Sequence, residues 1–402
     1  MDVLNKQVLY KKCIAKHLYF AGELSCAELS TSLGKSLPLI NRLITELISE
    51  GAVIETGYAP STGGRRPLMY SLKPDLQYVV AVAMDQLITR IVLLDMKNNP
   101  VGEVETLELE LAHTPGALHQ LTAFLADFIA KSGVPKSKIV GIGIGMPGFV
   151  DIAKGINYSF LEADDDSIVG QIEAVVGIPV LIDNDSSLVA LAELKLGAAR
   201  DRQNVMVLNL GWGTGLGMIM KGELFRGHNG FAGEFSHMPL FMNNKLCSCG
   251  KTGCLETEAS LLVIAEKAVE TLKQGKRSSL QGITIGPIDQ VVNTIMQAAL
   301  KGDSFAIELI TESAYNIGRG VSILIHLFNP ELIVLSGRGA VVGKLWLAPI
   351  QQAINEHCIP KISENTALTI SPLGYEAELL GAAALVMDHY DTLLPAPQKV
   401  HA

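Results

Sequence analysis

The chain has 402 residues, 48% apolar and 18% charged, with 38 glycines and only 5% aromatics, which points to an α/β protein of two or three domains. It contains no run of eighteen apolar residues, and its start, MDVLNKQVLYKKCIAKHLYF, lacks the apolar block and cleavage site of a signal peptide. The expected location is therefore the cytoplasm, without a membrane partner. The net charge of −9 argues against nucleic acid for the whole chain, but residues 1–75 hold nine Lys/Arg against seven Asp/Glu, and the remainder 23 against 34.

That mildly basic first segment reads as three helices and a hairpin. Val8, Leu9, Ile14 and Leu18 space a helix over Lys6–Phe20. Ser25 with Glu28 three residues later forms a capping box for a short helix from Cys26 to Leu33. After the Gly34-Lys35 turn, Ser36 caps a third helix, with Pro38 in its first turn and an apolar face of Leu39, Ile40, Leu43, Ile44 and Leu47. Val53-Ile54, the loop TGYAPSTGGRRP and the run LMYSL follow as a β wing. This is the order of a winged helix-turn-helix, whose third helix enters the major groove. Ser36, Leu37, Leu39, Asn41 and Arg42 are its candidate DNA contacts, with Arg65 and Arg66 at the wing tip. The alternative is a small interaction module.

Lys73-Pro74-Asp75 reads as a linker. Beyond it, YVVAVAM, ITRIVLLD and PVGEVETLEL are three strands of a meander, followed by a helix near Thr114–Lys131 and the strand KIVGIGIG. NVMVLNLGWGTGLGMIMKGELFRG repeats the strand–turn–strand plan, so the body is a duplicated α/β unit with a cleft between halves. In VLIDNDSSLVALAELKLG a buried strand runs into a helix, with Asn184 and Asp185 at the junction. Asp185 there is either a helix cap or a carboxylate held ionised for chemistry. The glycines of GWGTGLG, Gly211 to Gly217, either cradle phosphate or serve a tight hairpin.

Three of the six cysteines fall in CSCGKTGC, and His237 precedes them in GFAGEFSHMPL. In a reducing compartment that crowding favours a metal over a disulfide. One imidazole and three thiolates, His237, Cys247, Cys249 and Cys254, make a tetrahedral zinc set. Four protein ligands leave no place for water, so one structural zinc per chain is expected. The second nitrogen of His237 then faces a carboxylate or a ligand, and Glu234 and Glu256 lie close in sequence.

GFAGEFSH, CSCGKTGCLE, DNDSS and GTGLG, with the wing ending GGRRP, together resemble the ROK family: repressors, open reading frames and kinases acting on sugars. The resemblance spans nearly the whole chain. It implies a winged helix-turn-helix on a two-lobed, actin-like sugar-kinase body with a structural zinc. Residues 1–74 would bind DNA, 75–183 form the first lobe, 184–375 the second, and a C-terminal helix within 376–402 pack back on the first lobe. It implies sugar contacts at Asn184, Asp185, Glu234, His237 and Glu256, residue types that bond vicinal hydroxyls, with Asp185 the base in kinases.

The departures from the family pattern are specific. Family kinases hold ATP phosphates on a glycine-rich turn, where this chain has VAMDQLITR: Ala83 stands for the Asp, and Asp85, Gln86 and Leu87 for Gly-Gly-Thr. Arg338 stands among the late-loop glycines, Ser236 replaces a glycine, and the loop INYSFLEADDD is acidic and lacks the usual Trp. The expectation is a sugar-responsive repressor of carbohydrate genes without kinase activity. Its partners are a DNA operator and a sugar or sugar phosphate, and it assembles as a homodimer or homotetramer reading two half-sites. The rivals are an active sugar kinase with an appended DNA-binding domain, and a regulator governed by a protein partner.

Overall fold

The computed structural model describes residues 3–61, 66–161, 167–284 and 286–393. The chain opens with α1 (Val3–Ala21), β1 (Leu24–Ser25), α2 (Cys26–Leu33) and α3 (Leu37–Ser49). At α2 the Glu28 N–H donates to Ser25 Oγ at 3.3 Å, while Glu28 Oε2 accepts from the Ser25 N–H at 2.8 Å, a reciprocal box that satisfies the first turn. Ser36 differs from expectation. It occupies the cap position of α3, but its hydroxyl makes no capping bond; its carbonyl accepts from Leu39 and Ile40 instead. Ile40, Leu43, Ile44 and Leu47 bury one face of α3. The wing is β2 (Val53–Tyr58) and β3 (Leu68–Leu72), and β1 joins it in the sheet order β1-β3-β2. Two residues are too few for periodicity to announce a strand, so β1 was not legible beforehand.

The Lys73-Pro74-Asp75 segment is a hydrogen-bonded turn rather than a loose tether. Lys73 N–H reaches Ala52 O at 3.0 Å and Pro74 O accepts from Met96 N–H at 3.1 Å, tying it to the wing and to the sheet beyond. That sheet holds β4 (Tyr78–Met84), β5 (Ile88–Asp95) and β6 (Glu105–Glu108) as an antiparallel meander. Then come α4 (Ala117–Lys131), β7 (Ile139–Met146), the small hairpin β8 (Val150–Asp151) and β9 (Ile156–Asn157), α5 (Ile168–Val176) and β10 (Val180–Asn184). The sheet order is β10-β7-β4-β5-β6.

The second half begins with α6 (Asp185–Leu196), β11 (Val205–Leu210), β12 (Thr214–Met220) and β13 (Glu223–Leu224). Four helices follow: α7 (Glu256–Ala259), α8 (Leu261–Lys273), α9 (Ile288–Leu300) and α10 (Ser304–Phe328). Next are β14 (Leu332–Ser336), α11 (Lys344–His357), α12 (Pro360–Ser363) and β15 (Ala367–Ile370), then α13 (Ala377–Asp388) and α14 (Tyr390–Leu393). Its sheet order, β13-β12-β11-β14-β15, repeats the first sheet strand for strand. The chain divides into two compact units between Asp183 and Asn184 and again between Glu378 and Leu379. The winged segment shares the first unit with the first sheet.

The alternation in IVGIGIG explains how the first unit packs. Ile142, Ile144 and Met146 enter the core with Leu121, Leu125 and Ile172. The intervening glycines meet α13: a Cβ on Gly143 would lie 2.0 Å from Ala382 O. We expect Gly143→Ala to force α13 off the sheet and to cost about 2–3 kcal/mol, read as a lowered denaturation midpoint. The C-terminal segment also holds α1. Lys16 Nζ pairs with Asp388 Oδ1 at 2.8 Å, Lys12 Nζ donates to Asp391 O at 3.0 Å, and Tyr390 OH donates to Gln77 Oε1 at 2.7 Å.

Candidate functional site

The second unit gathers its polar motifs around β12. Asn184 caps α6, its Oδ1 accepting from Ser186 and Ser187 N–H, so Asn184 and not Asp185 is the cap. Asp185 is the first helical residue, with Oδ1 accepting from Ser186 N–H at 2.7 Å. The glycines of β12 let its neighbours come close. A Cβ on Gly215 would fall 1.9 Å from Ser186 Oγ, and one on Gly217 2.3 Å from Ala190 Cβ. On the same strand Leu216 O lies 2.5 Å from where a Cβ of Gly233 would be, next to Glu234. Gly213, in the preceding turn, abuts Glu256. The run GTGLG thus serves close packing that brings three polar motifs onto one support.

His237 stands between two groups. Its Nε2 lies 3.7 Å from Glu234 Oε2, and its Nδ1 lies 3.5 Å from Cys247 Sγ. Partial burial pushes the Glu234 carboxyl above its usual range; His237 opposes the shift and the charge of Glu256 adds to it. Glu256 accepts from Ser248 Oγ at 3.1 Å.

The donor atoms of His237, Cys247, Cys249 and Cys254 all lie within 4.8 Å of one another. Tetrahedral zinc with bonds of about 2.3 Å to sulfur and about 2.0 Å to nitrogen separates two sulfurs by about 3.8 Å, and sulfur from nitrogen by about 3.5 Å. Cys249 and Cys254 Sγ are 3.7 Å apart, matching the first distance, and the Cys247–His237 separation of 3.5 Å matches the second. Burial and then the neighbouring thiols push the Cys254 thiol up to about 12. Two short bridges, Pro239 with Cys254 and Leu246 with Thr252, close the loop. Gly250 and Gly253 take positive φ of 79° and 80° to turn the chain around the donors.

In the first unit, Asp85 caps its own turn. Its Oδ1 accepts from Leu87 and Ile88 N–H, each at 2.8 Å. Two backbone donors of that turn are therefore engaged by a carboxylate. In the second unit Arg338 is buried. Its guanidinium lies over Trp212 at 4.4 Å and Tyr375 at 4.5 Å, paired with Asp289 and donating to the Tyr375 hydroxyl. Neither arrangement was legible in the sequence, because each depends on partners far apart in the chain or on a side chain folding back on its own turn.

On α3, Asn41 and Arg42 are exposed, Leu37 is exposed and Leu39 is half-buried. Arg42 Nε lies 3.7 Å from Glu46 Oε1. Arg66 is exposed, 5.9 Å from the ring centroid of Tyr58 on β2. Arg65 lies outside the described residues, as does much of the acidic loop, 162–166. No described helix is long and apolar enough to cross a membrane.

The family model described as the ROK family matches residues 101–389. The xylose repressor of Caldicellulosiruptor bescii is 32% identical over 359 residues, 87% of this chain and 88% of that protein. The DNA-binding transcriptional dual regulator NagC of Escherichia coli K12 is 30% identical over 350 residues, 86% of this chain and 84% of NagC. A glucokinase of Halalkalibacterium halodurans is 33% identical over 291 residues, 69% of this chain and 86% of that enzyme. Among solved structures, a ROK family transcriptional regulator described as a homolog of the E. coli MLC protein superposes with a TM-score of 0.74 at 24% identity. That superposition covers 96% of this chain and 98% of the regulator, so the whole architecture, winged segment included, has a counterpart in one known fold. With the family model covering well over half of its length, this chain belongs to the ROK family.

Proposed function

We propose that this protein is a sugar-responsive transcriptional repressor of carbohydrate uptake and catabolism genes. One observation carries the reading: a single chain joins a helix-turn-helix with an exposed polar face on α3 to a ROK body on which Glu234, His237 and Glu256 gather beside the cysteine loop. Relatives that are named repressors over most of their length support it. Residues 1–74 act as the DNA-binding module, 75–183 with 376–402 as the first lobe, and 184–375 as the second. Ser36, Leu37, Leu39, Asn41 and Arg42 face the operator, with Arg65 and Arg66 on the wing. Asn184, Asp185, Glu234, His237 and Glu256 take the effector, a sugar or sugar phosphate. One zinc per chain, held by His237, Cys247, Cys249 and Cys254, fixes the imidazole that faces Glu234. A cytoplasmic homodimer or homotetramer would read two half-sites.

The test is titration of DNA from the flanks of this protein's own gene, with and without sugars. Operator binding that one sugar class releases is the expected result. Specific binding by a chain lacking residues 1–74 would refute the assignment of the winged segment. Within it, Arg66→Ala should weaken binding to all sequences alike and reduce the slope of log affinity against log salt by about 0.9 for one lost phosphate contact. Asn41→Ala should instead change which sequences are preferred, which a competition assay with operator variants reads directly.

A further inference from the structure

Glu256 is placed by two residues to which no role has been given so far. One carboxylate oxygen, Oε1, accepts from Ser248 Oγ at 3.1 Å and lies 3.7 Å from Cys247 Sγ. The other, Oε2, has no hydrogen bond among the described residues and lies 2.8 Å from where a Cβ of Gly213 would stand. Ser248 gives Oε1 the shorter of its two contacts, and Oε2 lies against Gly213.

We infer that Ser248 and Gly213 are positioning residues of the effector site: Ser248 orients Glu256 from within the cysteine loop, and Gly213 leaves the room that its second oxygen needs to meet a sugar hydroxyl. The inference deepens the effector reading above and rests on it. It adds a route by which the cysteine loop acts on the ligand apart from His237. The loop presents Ser248 in register with Glu256 through the Cys247 N–H to Lys251 O bond of 2.8 Å and the Gly250 N–H to Cys247 O bond of 2.9 Å. Gly213 does not need glycine for its backbone, which lies outside the left-handed region. Alanine there would meet only the carboxylate and push it aside, so its effect reports on Glu256.

The experiment is calorimetric titration of the full chain with xylose, glucose, N-acetylglucosamine and glucose 6-phosphate. Metal content and operator affinity are measured on the same preparations. Ser248→Ala should bind the sugar that the wild type binds about ten- to a hundredfold more weakly, the range for losing one hydrogen bond to a charged group. Its metal content and sugar-free operator affinity should be unchanged. Ser248→Thr, which keeps the hydroxyl, should restore the affinity, and Gly213→Ala should weaken it at least as much as Ser248→Ala. Wild-type sugar affinity in Ser248→Ala, or loss of metal in it, overturns the positioning role. A wild type that binds none of the four probes overturns the effector reading and this inference with it.

Discussion

Replacing Cys249 with serine is expected to abolish stoichiometric zinc and with it the sugar response, while operator binding persists. Cys249 is the exposed member of the donor set, so the change leaves no buried cavity and its effect comes through the metal. Three ligands would remain, Cys247 and Cys254 buried and His237 partly so, and a neutral hydroxyl is a poor substitute for a thiolate at this soft site. Without the cation, Cys254 is expected to return to its protonated form at neutral pH, since burial pushes its thiol up. His237 then loses the anchor at Nδ1 that keeps Nε2 beside Glu234. The loss should reach 10- to 100-fold or more in effector affinity, on the scale seen when the partners that orient a metal-linked imidazole are removed. Elemental analysis of the wild type that found no stoichiometric zinc would end this argument at its first step. Chelation of the wild type should reproduce the effect without any substitution.

Much of this arrangement was legible because its chemistry is local in sequence. The cysteine loop and His237 declare themselves by residue type and spacing, and Ser25 with Glu28 announces a helix start by a rule that needs four residues. The duplicated body was legible from two similar strand–turn–strand patterns, since the same apolar periodicity builds the same sheet order twice. What escaped was set by tertiary neighbours. The glycines of β12 could equally have cradled a phosphate, and only the approach of Ser186 and Ala190 assigns them to packing. Asn184 and Asp185 are adjacent polar residues at a strand–helix junction, and backbone geometry alone decides which one caps. Ser36 carries the right side chain for a cap and does not use it: Pro38 has no N–H to offer and the Leu39 N–H goes to the Ser36 carbonyl.

Purified protein given magnesium, ATP and a panel of sugars is expected to show no kinase turnover, although the DNDSS motif implies by its resemblance that Asp185 matches the base of a family kinase. Phosphoryl transfer is driven by positioning and by donors aimed at the developing charge, so a base without a phosphate clamp accomplishes little. In this chain two backbone donors of the turn after β4 are already taken. The Leu87 and Ile88 N–H groups are engaged by Asp85 Oδ1, and the same carboxylate would face the triphosphate with like charge. Arg338 adds bulk at the loop after β14, packed between the side chains of Trp212 and Tyr375. On the effector reading proposed above, Asp185 accepts a hydrogen bond from a sugar hydroxyl and does not remove its proton. Asp185→Asn should accordingly lose most of the sugar response, since an amide replaces a charged acceptor, at a cost of about 1.5–3 kcal/mol in effector binding. Its operator affinity without sugar should match the wild type. Turnover on the order of 1–100 per second with any sugar would make the protein a working kinase and overturn the repressor-only reading. If that turnover vanished in Asp185→Asn, the aspartate would be a base in this chain as well.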